Sequence, residues 1–177
     1  SMVCPGPGVS ANTADSSQAL RNIARHLDVT GLLGSKLLRV SVMREDDVIW
    51  AQRAADQAAE RKIRLVHQCH TTSLFEEVEE SLEILEKIGR PNFGLIYEPA
   101  NLMLCKQSYG EETLHKFLPY IMNVYVQNHA IDPAGPVELE TWCQGPRRFR
   151  HIPIWEPGGV KFDDVMAGLK AVGYKGT

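Results

Sequence analysis

The chain has 177 residues, 44% of them hydrophobic, and a formal net charge of -3, with 19 Lys and Arg against 22 Asp and Glu. That length supports one well-buried domain over residues 1–177, and the acidic balance lacks the basic stripe that marks a nucleic-acid binder. No apolar run reaches the roughly 18–20 residues that span a bilayer, so neither a membrane nor a nucleic acid is an expected partner.

Ser1-Met2-Val3-Cys4-Pro5 has neither the charged start nor the apolar core of a secretory leader. The four cysteines, Cys4, Cys69, Cys105 and Cys143, show no C-x-x-C spacing. A reduced, cytoplasmic location is the expectation.

A strand is predicted at residues 1–4 and an amphipathic helix over 16–33, with Leu20, Ile23, Ala24 and Leu27 on one face. Leu37-Leu38-Arg39-Val40-Ser41-Val42 reads as a strand, followed by a helix over 45–61 with Val48, Ala51, Ala54, Ala55 and Ala58 at 3–4 spacing. Strand 63–67 comes next. Ser73-Leu74-Phe75-Glu76 has the pattern of a capping box opening a helix that runs to Ile88, where Gly89 and Pro91 stop it. Strand 93–97, a helix over 110–119 and strand 122–127 continue the alternation. An irregular stretch covers 131–149. Ile152-Pro153-Ile154-Trp155 reads as a further strand and 162–172 as the last helix.

Strand centres near 40, 66, 96, 125 and 154 recur about every 26–30 residues, the length of one βα unit, and such repetition implies a parallel sheet with right-handed crossovers. An open doubly wound sheet and a (β/α)₈ barrel both satisfy that order. No G-x-G-x-x-G follows a strand, which weakens the dinucleotide-binding version. A complete barrel takes about 250 residues. The expected fold is therefore α/β, a partial (β/α)₈ TIM barrel of five to six parallel strands that lacks its first and last. Open sheet edges on such a piece call for a homo-oligomer or a completing chain.

Three strands end in polar clusters: Gln68-Cys69-His70, Glu98-Pro99-Ala100-Asn101 and Gln127-Asn128-His129. In a strand alternate residues share a face, which would set Gln68 beside His70, Glu98 in line with Ile96, and Gln127 and His129 in line with Tyr125. A carboxylate, two imidazoles and amides around one mouth suit a small polar ligand, a divalent ion, or proton abstraction beside a carbonyl. The plainer alternative is that Glu98 caps a helix, His70 is a satisfied loop residue and the amides bond to backbone. Cys69 should point to the opposite face as a buried thiol. Arg147-Arg148-Phe149-Arg150-His151 is read as a solvated loop in preference to a phosphate site. Trp155, in Trp155-Glu156-Pro157-Gly158-Gly159, is either an aromatic wall over a sugar ring or part of a turn.

These segments, "GSKLLRVSV", "IRLVHQCH", "FGLIYEPANL", "NVYVQNH" and "IPIWEPGGVKFDDVMAGLKAVGYKGT", taken in order, resemble the xylose isomerase-like TIM barrels. That group holds sugar phosphate isomerases and epimerases, ketose 3-epimerases and, more distantly, endonuclease IV. The resemblance covers nearly the whole chain. It implies a divalent metal (Mn, Mg, Co or Zn) held by Glu, Asp, His and a final Glu, binding sugar oxygens while acidic residues move a proton. The first ligand position falls on Gln68 and the second on Glu98. The third falls on Tyr125, with Gln127 as the substitute, and the fourth lies beyond Thr177. His70 keeps the histidine of the family's Glu-x-His, and the substrate histidine is replaced by Asn101.

Gln is a neutral, weaker ligand than Glu and no base, so an ordinary two-base epimerase is not what this set describes. The expected function is a sugar isomerase- or epimerase-like protein acting on a ketose or keto-sugar by proton transfer next to a carbonyl, metal-assisted or as a lyase variant. The expected catalytic groups are Glu98 and His70, with Gln68, Asn101, Gln127, His129 and Trp155 binding the carbohydrate and Glu98, His70 and Gln127 holding the metal. The alternative is a non-catalytic sugar-binding or partner subunit with an eroded metal site. A nuclease of the endonuclease IV kind fits the acidic balance poorly.

Overall fold

A computed structural model describes residues 2–3 and 16–176, so Ser1, Cys4 and Thr177 lie outside the described residues. Its elements run β1 (Met2–Val3), α1 (Ser16–Arg21), α2 (Ile23–Leu32), β2 (Leu37–Arg39), α3 (Asp47–Glu60), β3 (Arg64–Gln68), α4 (Val78–Ile88) and β4 (Phe93–Tyr97). They continue α5 (Pro99–Leu104), α6 (Glu111–Phe117), β5 (Ile121–Val124), β6 (His129–Ile131), β7 (Val137–Leu139), β8 (Arg147–His151) and α7 (Phe162–Ala171). The main sheet takes its strands in chain order, β1-β2-β3-β4-β5, and a second sheet has the order β6-β8-β7. Backbone contacts divide the chain into two compact units, 1–68 with 83–95 and 69–82 with 96–177.

In the first unit β1, β2 and β3 pair in parallel, with Leu38 opposite Leu65 and Arg39 opposite Val66. Val40 N extends the ladder to Val66 O at 2.9 Å. Helix α3 covers this sheet with Ala51, Ala54, Ala55 and Ala58, all fully buried. Alanine at each of those positions lets helix and strand approach closely and costs no rotamer entropy. Asn92 ties the next strand to that helix: its Nδ2 donates to Ala55 O at 2.7 Å and Ile63 O at 3.3 Å. Gly89 ends α4 at φ 56°, the left-handed conformation that glycine adopts without a Cβ penalty, and its N donates to Leu85 O.

The predicted 16–33 helix is interrupted at Asn22 and becomes α1 and α2. The predicted capping box does not form. Ser73 Oγ accepts from Phe75 N and donates to His70 O, while Glu76 bonds elsewhere, so α4 starts only at Val78.

The second unit holds α5, α6, β5, the small sheet and α7. Four corrections fall here. Strand 122–127 stops at Val124, and His129 opens β6 instead, so the alternation that aligned Gln127 and His129 with Tyr125 does not apply. Residues 131–149 are not irregular: they supply the end of β6, all of β7 and most of β8, with His129 opposite His151 and Glu138 opposite Arg148. The Arg147–His151 run is the central strand of that sheet, its Arg148 Nε 2.6 Å from Glu138 Oε2 and its Arg150 Nη1 3.2 Å from Glu156 Oε1. Finally, Ile152–Trp155 is no strand. Pro153 has no N–H to give a ladder, and its carbonyl instead closes a turn by accepting from Glu156 N.

Candidate active site

Glu98 is positioned by its own sequence neighbours. It follows β4 in an extended conformation (φ -142°, ψ 99°), and Pro99 occupies the first turn of α5, where a missing N–H costs nothing. Its carboxylate caps that helix: Oε1 accepts from Ala100 N at 3.1 Å and Oε2 from Asn101 N at 2.8 Å. The helix-cap alternative is thus what the geometry shows at the backbone. The side chain is fully buried, and loss of hydration pushes its pKa up to about 7, against the opposing hydrogen bonds from Asn101, the Gln127 side chain and Ala100. A carboxyl group that changes charge near neutrality is suited to acid/base work.

His70 lies on the neighbouring strand end. Cys69 N donates to Ile96 O at 3.0 Å, and Asn101 Nδ2 donates to Cys69 O at 2.8 Å, so two hydrogen bonds tie Cys69, the residue before His70, to the Ile96–Asn101 segment. Asn101, expected to bind substrate, spends its amide on that tie. His70 Nδ1 is 2.8 Å from Thr71 O. A carbonyl only accepts, so Nδ1 carries the proton and Nε2 is the basic nitrogen. Cys69 is fully buried, as its register predicted, and burial raises its thiol to about 12 against an opposing hydrogen bond from the Glu98 backbone.

Of the other expected residues, Gln127 reaches the Glu98 carboxylate. Gln68 is buried at the end of β3, in the first unit. His129 is buried in the small sheet, its ring 4.5 Å from Phe149 and 4.7 Å from His151. Its Nδ1 meets Asn128 O at 2.9 Å, which fixes the proton there. Burial, reinforced by His151, lowers its pKa to about 4, so it is neutral in the fold. Trp155 is 87% exposed and lines an open cleft of about 450 Å³ formed by residues 154–164.

Asn128 organises that segment, and its signal in the sequence is only an amide between two better-looking neighbours. Its Nδ2 donates to Pro153 O at 3.0 Å and Glu156 O at 3.0 Å, and its Oδ1 accepts from Val160 N at 2.9 Å. Gly159 has to be glycine for this to close: a Cβ there would stand 2.1 Å from Asn128 Oδ1 and 2.5 Å from His129 O. Tyr97, buried at the end of β4, donates its hydroxyl to Tyr109 O, and Lys161 N donates to the Tyr109 hydroxyl at 3.3 Å.

The Glu98 carboxylate accepts from two backbone N–H groups and the Gln127 side chain, three of its roughly four acceptor positions. Among the described residues, neither Glu98 nor His70 belongs to a group of three His, Cys, Asp or Glu donors. A three-donor group does exist in the second unit, at Glu76, Cys105 and Cys143.

The same ordering of strand ends and helices is found among known proteins. The xylose isomerase-like TIM barrel family matches residues 1–177. The chain belongs to that family. No curated protein matches it. Among solved structures, a xylose isomerase domain protein from Planctomyces limnophilus is 18% identical with TM-score 0.77, over 99% of this chain and 68% of that one. The probable 3-DHS dehydratase of petrobactin synthesis from Bacillus anthracis is 14% identical with TM-score 0.76, over 97% and 66%. A D-allulose 3-epimerase from Methylomonas sp. is 17% identical with TM-score 0.66, over 99% and 60%. The chain spans about two thirds of these neighbours' lengths, and the likeness shows the fold: a partial barrel built on a parallel sheet. Other xylose isomerase-like neighbours carry magnesium or zinc, and one is an AP endonuclease of family 2 from Brucella melitensis. No helix among the described residues is long and apolar enough to cross a membrane.

Proposed function

We propose that this protein acts on a ketose or keto-sugar by moving a proton next to a carbonyl, as an isomerase, epimerase or elimination catalyst. The observation that carries the reading is Glu98, a buried carboxyl group raised to about 7 at the end of a sheet strand. Glu98 takes or returns the proton on carbon. His70, with its proton held on Nδ1 by Thr71 O, offers Nε2 to a substrate hydroxyl. Gln127 orients a further hydroxyl, Asn101 and His129 hold the walls, and Trp155 supplies an apolar face for a sugar ring. The D-allulose 3-epimerase neighbour, solved with D-allulose, supports the substrate class, and the probable dehydratase supports elimination as the variant. The free thiols of Cys69, Cys105 and Cys143 agree with a reducing, cytoplasmic setting.

One observation favours a second reading, a sugar-binding subunit without turnover: both Glu98 oxygens serve the helix cap. Glu98→Gln separates the two. If Glu98 is the acid/base, a panel of ketoses and 3-keto-sugars shows turnover that the variant loses by about 10²-fold or more, while sugar affinity is kept. Turnover at the wild-type rate in the variant sinks the catalytic assignment, and binding without turnover in the wild type establishes the second reading.

A further inference from the structure

Three segments of the second unit meet at a group of one carboxylate and two thiols. Glu76 lies in the loop before α4, Cys105 is the C-cap of α5, and Cys143 sits in the turn between β7 and β8. One carboxylate oxygen of Glu76 and the two Sγ atoms all lie within 4.8 Å of one another. Glu76 and Cys105 are buried and Cys143 is half-buried, so one side of the group is open to entry. The carboxylate is rigidly placed. It accepts from Thr72 N, from Trp142 N at 3.0 Å and from Cys143 N at 2.9 Å. Three donors fill three of its roughly four acceptor positions, leaving one directed at the thiols.

We propose that Glu76, Cys105 and Cys143 bind one thiophilic divalent ion of the zinc type, with water as the fourth ligand. Two thiolates and a carboxylate are a donor set for zinc or cadmium, and a poor one for magnesium or calcium. Donors around tetrahedral zinc stand about 3.5–3.8 Å apart, so a small rotation of the half-buried Cys143 side chain closes the site. On binding, both S–H bonds break, two metal–sulfur bonds form and two protons leave to solvent.

A disulfide is the competing use of this pair. Cys143 Sγ stands 3.8 Å from Cys105 O as a thiol donor. Burial first, and then the neighbouring thiol and the Glu76 carboxylate, hold the Cys105 thiol well above its ordinary range; burial and the Glu76 carboxylate likewise raise Cys143. Disulfide formation needs a thiolate attacker, which this crowding of potential anions opposes, whereas a cation that replaces the protons relieves it.

The test is titration of the reduced, metal-free 177-residue chain with Cd²⁺ and then Zn²⁺. The expected result is a thiolate-to-metal charge-transfer band saturating at about one ion per chain, with about two protons released. Cys105→Ser and Cys143→Ser each weaken binding by at least about tenfold and diminish the band, while Glu98→Gln leaves it unchanged. Because Cys143 is half-buried and serine is isosteric, that variant keeps the fold. No saturable band, an undiminished band in Cys143→Ser, or loss of two hydrogens to a Cys105–Cys143 disulfide in a chain that binds no Cd²⁺ when reduced would each overturn the proposal.

Discussion

Replacing Glu98 with Gln should leave the protein more stable, relative to wild type, in mild base than in acid. The cap bonds from Ala100 N and Asn101 N are weakened by the change, at a cost of about 0.5–2 kcal/mol. Against this runs the ionisation of a buried group. The carboxyl pKa is 4.5 for a solvated glutamate and about 7 in the fold, so the folded protein holds the proton more tightly. Stability from this source is fully present below 4.5 and is lost as the pH rises through 7. Linkage gives the wild type a penalty of about 1 kcal/mol at pH 5 and about 3 kcal/mol at pH 8, a difference of about 2–3 kcal/mol that Gln does not share. The stability of the variant relative to wild type therefore rises by about 2–3 kcal/mol between pH 5 and pH 8. Urea unfolding of both proteins at the two pH values measures this, and all other titrating groups cancel in the comparison. A wild-type-minus-variant difference constant with pH to within about 0.5 kcal/mol would refute a neutral-range Glu98.

Three further outcomes follow from the same geometry. Asn128→Ala removes hydrogen bonds to Pro153 O, Glu156 O and Val160 N, and should lower stability by about 1–3 kcal/mol while making trypsin cut first at Arg150 or Lys161; unchanged cleavage would show that Asn128 does not hold the segment. His129, with a folded pKa of about 4 against 6.5, contributes a destabilisation that is absent above 6.5 and grows as the pH falls toward 4; its ring protons in an NMR titration should stay unshifted down to pH 5, and a midpoint above 6 would contradict its burial. Trp155→Ala should raise the dissociation constant of a bound sugar by about five- to tenfold without changing the melting temperature, because the ring is exposed; equal affinity would remove Trp155 from the site.

The alternation of strands and helices is legible because the apolar periods of 2 and 3.6 are local, and Ala51, Ala54, Ala55 and Ala58 announce α3 by spacing alone. Gly89 and Pro91 likewise mark the end of α4. The small sheet is not legible. Its β6 and β7 are three residues long, and its central strand, Arg147–His151, is polar enough to read as solvated loop, since its charges are met across strands by Glu138 and from the following turn by Glu156. Helix α5 escapes the periodicity because its six residues are too few to show one, although Pro99 after a carboxylate is a helix-start signal. The candidate site residues can be found by their position in the chain, but what each one touches is out of reach. Asn101's tie to Cys69 O and Asn128's grip on residues 153–160 join positions about 30 residues apart. Glu76 reads as a cap residue for Ser73, but its partners Trp142 and Cys143 lie 66 and 67 residues away.

That Glu98 serves both as helix cap and as candidate acid is not a contradiction. The two N–H donors favour the carboxylate, and burial favours the acid; the result is a group balanced near 7. A cap with exposed oxygens would stay ionised and be a poor proton source, and a buried carboxyl without the cap would be pushed still higher. The cap is thus what keeps the proton exchangeable. It also couples the proton to structure, because a carboxylic acid accepts more weakly than a carboxylate. Protonating Glu98 should loosen Ala100 N and Asn101 N, and through the Asn101 side chain the tie to Cys69 O beside His70. Amide hydrogen exchange gives the test: corrected for intrinsic rates, protection at Ala100 and Asn101 should rise between about pH 6 and 8 with a midpoint near 7, and should be flat in Glu98→Gln. Protection that is independent of pH in the wild type would leave Glu98 a permanently ionised cap and remove the basis for a catalytic role.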